Sequence, residues 1–376
     1  MSRAGKVPTG IDRVELAYLR AVISDDVPAF ALARSALGYL LLDKRGMQKF
    51  HAHLQDDHWP KPDLISRFNP RLSEAARRGQ TAVRRLAIDR AIPGQLKQML
   101  TRLPRGYRYI NVGHSNLTER VFAAIDGAKC TVMIHDAIPI DFPQYQRDGS
   151  VDRFQGMINR VSARADQVIC VTEAERERVA FHLKAAGRCP PMTVAHLGLE
   201  RGGAAVIPEG LASEPFFMTV GTIEPRKNHA LLLDVWERLG PEAPRLLICG
   251  ARGWNNRAVF ERLDRGIPNV VELPDLPDGV IRALLERTQA FLFPSLAEGF
   301  GLPPVEAAMA GAPILCADLL SCREILGSKP VYLDPTDSYH WEKAVRALMR
   351  QERSGDVEPF VPPNWEAHFK SVFTIT

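Results

Sequence analysis

The chain has 376 residues, 45% of them hydrophobic and 24% charged, with a net charge of +4. That length exceeds one ordinary core and predicts two domains, and the composition is that of a soluble globular protein. No apolar run approaches the length a membrane span needs, and the opening "MSRAGKVPTG" lacks the apolar core of a signal peptide.

In chain order, "GIDRVELAYLRAVI" places apolar residues at helical spacing, and "VPAFALA" and "YLLLD" read as a hairpin around "RSALG". Residues 44 to 105 read as a mostly helical, polar insertion. From Arg67 to Arg108 there are eleven Lys/Arg against two acids. Such a run fits a solvated helix face, or attraction to an anionic membrane surface or lipid-linked substrate. Nucleic acid fits poorly, because only Phe68 and Tyr107 interleave the charges.

Strand and helix signals then alternate: "YRYINVG", "LTERVFAAI", "CTVMIHD", a loop "AIPIDFPQY", "VDRFQGMINRVSARA", "QVICVT", "EAERERVAFHLKAA" (with Thr172 as its cap) and "MTVAHLG". Residues 201 to 214, rich in Gly, Pro and small residues, read as a linker. Alternation restarts at "PFFMTVG" and runs to "SYHWEKAVRALM". The pattern predicts an α/β protein with two Rossmann-like domains, their parallel sheets facing each other across a cleft. The expected boundaries are 1–205, with the basic insertion at about 44–105, then 206–355, and a segment 356–376 packing back on the first domain. The six cysteines form no C-x-x-C pair, and Cys170, Cys249 and Cys316 end apolar runs as small buried hydrophobes. These features suit a reduced, cytoplasmic protein.

Ligands of such sheets sit beyond the C-terminal strand ends. There "VGTIEPRKNH" sets Arg226 and Lys227 before a helix with Asn228 as N-cap, a cation pair suited to a diphosphate. A second strand end reads "FPSLAEGFGLPPVEAAMAGAP", a glycine turn between Glu298 and Glu306. Proline favours the first helical position, so a helix start at Pro304 is expected, with Glu306 in the first turn. A nucleotide sugar carries hydroxyl pairs on both sides of its diphosphate, and each glutamate can accept from one of them. Before "PTGIDRVELAYL" only "MSRAGKV" precedes, a poor central strand. Either that strand is missing from the first sheet, or the natural start lies upstream.

"FPSLAEGFGLPPVEAAMAGAPILCAD" resembles the Glu-x7-Glu segment of retaining glycosyltransferases of family 4, which have the GT-B fold. "VGTIEPRKNHALLLDVW" resembles the opening of their second domain. "MIHDAIPIDFPQY" is similar to a first-domain segment of a bacterial subgroup containing many mannosyltransferases, and "CREILG" to the glutamate-bearing segment that follows. The resemblance is dense from about 109 to 345. It implies that Glu306 holds the ribose, and that Glu298 faces the transferred sugar with the backbone of Gly299, Phe300 and Gly301. Arg226 and Lys227, near Gly221, would neutralise the departing diphosphate. His135 would approach the sugar from across the cleft, His114 being a second candidate. Gly10 resembles the family's glycine loop on the acceptor side. The implied reaction is hexose transfer from a nucleotide sugar, GDP-mannose being the first choice, to a glycan or lipid-linked acceptor in polysaccharide biosynthesis, at the inner face of the membrane. No Asp-x-Asp motif is present, so no metal and no cofactor are expected. A nucleotide-sugar epimerase and an inactive sugar-nucleotide-binding scaffold are the alternatives.

Overall fold

The computed structural model describes residues 9–67, 72–200, 202–212, 214–351 and 359–375. The expected missing strand concerns residues 1–8, which lie outside the described residues.

The first described element is helix α1 (Gly10–Ser24), started by a capping box between Thr9 and Asp12. Strands β1 (Phe30–Ser35) and β2 (Gly38–Asp43) form the expected antiparallel hairpin. The insertion holds α2 (Lys44–Asp56), α3 (Leu64–Arg67) and α4 (Glu74–Leu86). It also holds β3 (Asp89–Ala91), which pairs with β2 and was not expected, and then α5 (Leu96–Leu100). This lobe has its own small core of Leu40, Leu42, Met47 and Val83.

The first parallel sheet follows: β4 (Arg108–Asn111), α6 (Glu119–Ala124), β5 (Lys129–Ile134), α7 (Ile138–Asp141), α8 (Ser150–Arg164), β6 (Gln167–Cys170), α9 (Glu173–Ala185) and β7 (Met192–Val194). Its strands pair in chain order. "AIPIDFPQY", read as a loop, instead contains α7, with Pro139 tolerated in its first turn.

The second half runs β8 (Phe216–Val220), α10 (His229–Leu239), β9 (Arg245–Cys249), α11 (Arg257–Arg265), β10 (Val270–Leu273), α12 (Asp278–Leu285), β11 (Ala290–Phe293), α13 (Leu302–Met309), β12 (Ile314–Ala317), α14 (Leu320–Leu326), β13 (Val331–Leu333) and α15 (Ser338–Met349). All six strands are parallel, in the order β10-β9-β8-β11-β12-β13. The order therefore reverses between β8 and β11, which opens a crevice at their C-terminal ends. The last helix, α16 (Trp365–Ile375), returns to α1. There the Tyr18 hydroxyl meets His368 Nε2 at 2.8 Å, and the His368 Nδ1 proton goes to the His196 carbonyl.

Candidate functional site

The chains leaving β8 and β11 are laced together at the crevice. Leu296 N–H donates to the Arg226 carbonyl at 2.8 Å, and Asn228 Nδ2 donates to the carbonyls of Pro294 and Pro335. Asn228 occupies the N-cap position of α10 with a left-handed backbone, but its side chain makes these cross-loop bonds and not the expected cap. Gly221, at φ 147°, leaves room for the stem of Lys227, whose Cε lies 3.3 Å from the place a Cβ would take.

Lacing the loops brings opposite charges together. Lys227 Nζ donates to Glu298 Oε1 at 2.6 Å, and Arg226 Nη1 lies 2.8 Å from Glu298 Oε2. Arg226 also pairs with Glu224 and donates to the Ala297 carbonyl. Burial alone would push the Glu298 carboxyl up, but Arg226 and Lys227 outweigh it and hold it down at about 2. Burial lowers the Lys227 ammonium, against the pull of Glu298. The cation pair, Glu298 and Glu224 thus form one charge-balanced cluster.

The first half closes over this cluster. A Cβ on Gly299 would sit 2.3 Å from the His135 carbonyl oxygen, and Thr172 Oγ1 donates to the Gly299 carbonyl at 3.0 Å. Thr172 Oγ1 also accepts from Glu175 N–H, the cap expected of it. Asp136 is driven up by burial while facing Arg226 and Glu298. The Glu175 carboxyl, buried near Asp136, is pushed up to about 8 and accepts from the Ala137 N–H.

His135 donates Nε2–H to the Val112 carbonyl at 2.6 Å, and His114 donates to the Met133 carbonyl at 3.1 Å. Their ring centroids lie 5.2 Å apart, and burial disfavours the charged form of both. Phe300 turns its ring into the core. Gly301, at φ 80°, caps α13. That helix starts at Leu302 and not at Pro304, so Glu306 lies beyond the first turn. Glu306 pairs with Arg13 of α1, while Gly10 abuts Leu302.

His135, Arg226, Lys227, Glu298 and Gly299 therefore converge, with His114 behind His135. Asp136, Glu175, Glu224 and Arg13 were not singled out. Three of them lay in stretches already read: Asp136 ends "CTVMIHD", Glu224 lies within "VGTIEPRKNH" and Glu175 in the helix capped by Thr172. Glu175, three residues after Thr172, looks like a capping-box partner, which disguised it.

Comparison with known proteins bears on this arrangement. Residues 208–357 match the family model described as Glycosyl transferases group 1. The serotype-specific mannosyltransferase WbdA of Escherichia coli is 31% identical over 221 residues, covering 53% of this chain and 27% of WbdA. The chain thus spans about a quarter of that relative's length. The O-antigen chain mannosyltransferase B of Escherichia coli is 33% identical over 132 residues, 34% of this chain and 35% of that protein. Among solved structures, the trehalose-6-phosphate synthase OtsA superposes with TM-score 0.60 at 11% identity, covering 93% of this chain and 88% of OtsA. Anabaena HepE, solved in complex with UDP and glucose, gives 0.55 at 17% identity, covering 69% of this chain and 72% of HepE. The architecture is GT-B, as expected from the sequence.

Proposed function

We propose that the chain is a retaining glycosyltransferase of family 4, transferring a hexose from a nucleotide-diphosphate sugar to a glycan or lipid-linked glycan. The observation that carries this reading is the cluster Arg226–Lys227–Glu298 at the reversal of strand order between β8 and β11, inside the segment that matches the group 1 family model. The relatives named as mannosyltransferases support mannose as the sugar, and we propose GDP-mannose as its donor.

In this reading the diphosphate enters beside Arg226 and Lys227, displacing part of the hold Glu298 has on them. Negative charge then builds on phosphate oxygens as the sugar–oxygen bond breaks, and the two fixed cations stabilise it. Glu298, released from its pairing, accepts from the sugar hydroxyls, and Glu306 accepts from the ribose. His135 approaches the sugar from the first half. Among the described residues this reading assigns no carboxylate as a nucleophile, which favours front-face attack by the acceptor hydroxyl, its proton passing to the departing phosphate oxygen. Two cations at one diphosphate replace the role a metal would otherwise take, so chelation is expected to leave turnover intact.

Among the described residues no helix is long and apolar enough to cross a membrane. Arg85, Lys97 and Arg105 on the basic lobe, with Arg108 at the start of β4, are exposed, and we assign them to attraction of an anionic lipid surface or lipid-linked acceptor.

The test is incubation with a panel of labelled nucleotide sugars, GDP-mannose among them, and a lipid-linked glycan extract in anionic liposomes. Label in the glycan supports the reading, with transfer falling steeply as salt rises. Isomerised donor without transfer would identify an epimerase, and binding alone a scaffold. Transfer indifferent to salt would return the basic lobe to a solvated surface.

A further inference from the structure

Glu306 on α13 and Asp278, the first residue of α12, both belong to the second half, yet the cation between them comes from the first. Arg13, one turn into α1, donates Nη1–H to Glu306 Oε1 at 2.5 Å and Nη2–H to Asp278 Oδ1 at 2.8 Å. The Arg13 and Glu306 side chains are only 31% and 25% exposed, so the pairing is partly shielded from water. Gly10 fixes the approach: a Cβ there would lie 3.3 Å from Leu302 Cδ1, so the start of α1 rests on the start of α13. A cavity of about 410 Å³ opens beside the triad, lined by Arg13, Asp278, Arg282, Glu306 and Phe360.

We propose that Arg13 is a positioning residue of the nucleoside end of the donor site, reaching across the cleft to hold the Glu306 carboxylate charge-balanced and oriented for the ribose hydroxyls. The inference rests on Glu306 being the ribose acceptor. The guanidinium occupies Oε1 and leaves Oε2 for a hydroxyl donor. Burial pushes the Glu306 carboxyl up and Asp278 adds to that, while Arg13 from α1 and Arg282 from α12 oppose it. Glu200 and Glu286 line the same cavity and add negative charge. Without Arg13, Glu306 takes up a proton more readily and loses acceptor strength. Nucleotide binding is thereby linked to closure of the two halves, because Arg13 reaches Glu306 only when α1 rests on α13.

The test is calorimetry on the intact chain with GDP, UDP and inorganic pyrophosphate as separate probes, repeated from mildly acidic to mildly alkaline pH. In Arg13→Gln, the better-bound nucleotide weakens about tenfold, the equivalent of about 1.4 kcal/mol. Its affinity also falls away at a higher pH than in the wild type, because ionised Glu306 is the form that binds. Pyrophosphate, held at Arg226 and Lys227, binds as in the wild type, which also reports an intact fold. Arg13→Lys keeps the charge without the fork and gives an intermediate affinity. Adding Asp278→Asn to Arg13→Gln removes one uncompensated negative charge and moves the pH profile back toward wild type. Unchanged nucleotide affinity and pH profile in Arg13→Gln would overturn the proposal. An equal loss of pyrophosphate binding would also overturn it, leaving Arg13 a structural residue. A wild-type chain that binds neither nucleotide fails at the donor reading itself.

Discussion

Glu298 pairs with both Arg226 and Lys227, and Glu224 with Arg226, so whatever enters the crevice must share those carboxylates or replace them. The roles of the two glutamates should therefore separate in calorimetry. Glu306→Gln is expected to weaken free nucleoside diphosphate about tenfold, the value of one charge-assisted hydrogen bond. Glu298→Gln should weaken the intact nucleotide sugar more than the free diphosphate, because it also frees Lys227 and leaves Arg226 with Glu224 as its carboxylate partner. The reverse pattern would show the roles exchanged. The pairing also has a pH signature. The Glu298 carboxyl lies at about 2, below its ordinary 4.5. Its contribution to stability is therefore complete above the ordinary carboxylate range and is lost as pH falls toward about 2. At this scale the sequence showed residue types at strand ends but not their partners. Arg226, Lys227 and both glutamates could be named, whereas Arg13, more than two hundred residues from Glu306, could be linked to it only by the folded chain.

At the scale of elements, strand and helix alternation was legible from β4 to α15, because buried parallel strands leave short apolar runs between amphipathic helices. What escaped was local. β3 spans only Asp89–Ala91, too short for a period-two signal. The start of α13 was misplaced because prolines are tolerated throughout the first turn, where backbone N–H groups have no helical partner, so Leu302 can precede both. The contact of the turn before α13 with the end of β5 is set by Gly299, whose missing Cβ is what allows the approach to His135. Gly299→Ala is expected to cost about 1–3 kcal/mol through overpacking and to impair transfer, read by thermal melting and assay together. Unchanged melting and transfer would mean that the halves do not approach this closely.

For the whole molecule, the sequence suggested two halves across a cleft, and the structure joins them more closely than alternation can reveal. One buried cluster runs from Val14, Tyr18, Met133 and Ile169 to Phe216, Phe291 and Phe300, with Val372 of the last helix in it. Polar clasps reinforce it: Glu324 on α14 accepts from the N–H groups of Glu173 and Ala174 at the start of α9. The basic run is likewise partly structural. Arg84 is buried against Asp63, and Arg78 and Arg102 pair with Glu74 and Asp89, so charge counting overstated the free positive surface. These unions place the cation pair in a closed, charge-balanced crevice, where small losses of positive charge have large effects. The most direct measurement of the account is steady-state turnover of the accepted nucleotide sugar by wild type, Arg226→Ala and Lys227→Ala. Each variant is expected to be slower by on the order of 100-fold or more, since each removes a charge that stabilises the departing diphosphate. Turnover near the wild-type rate in both would contradict it.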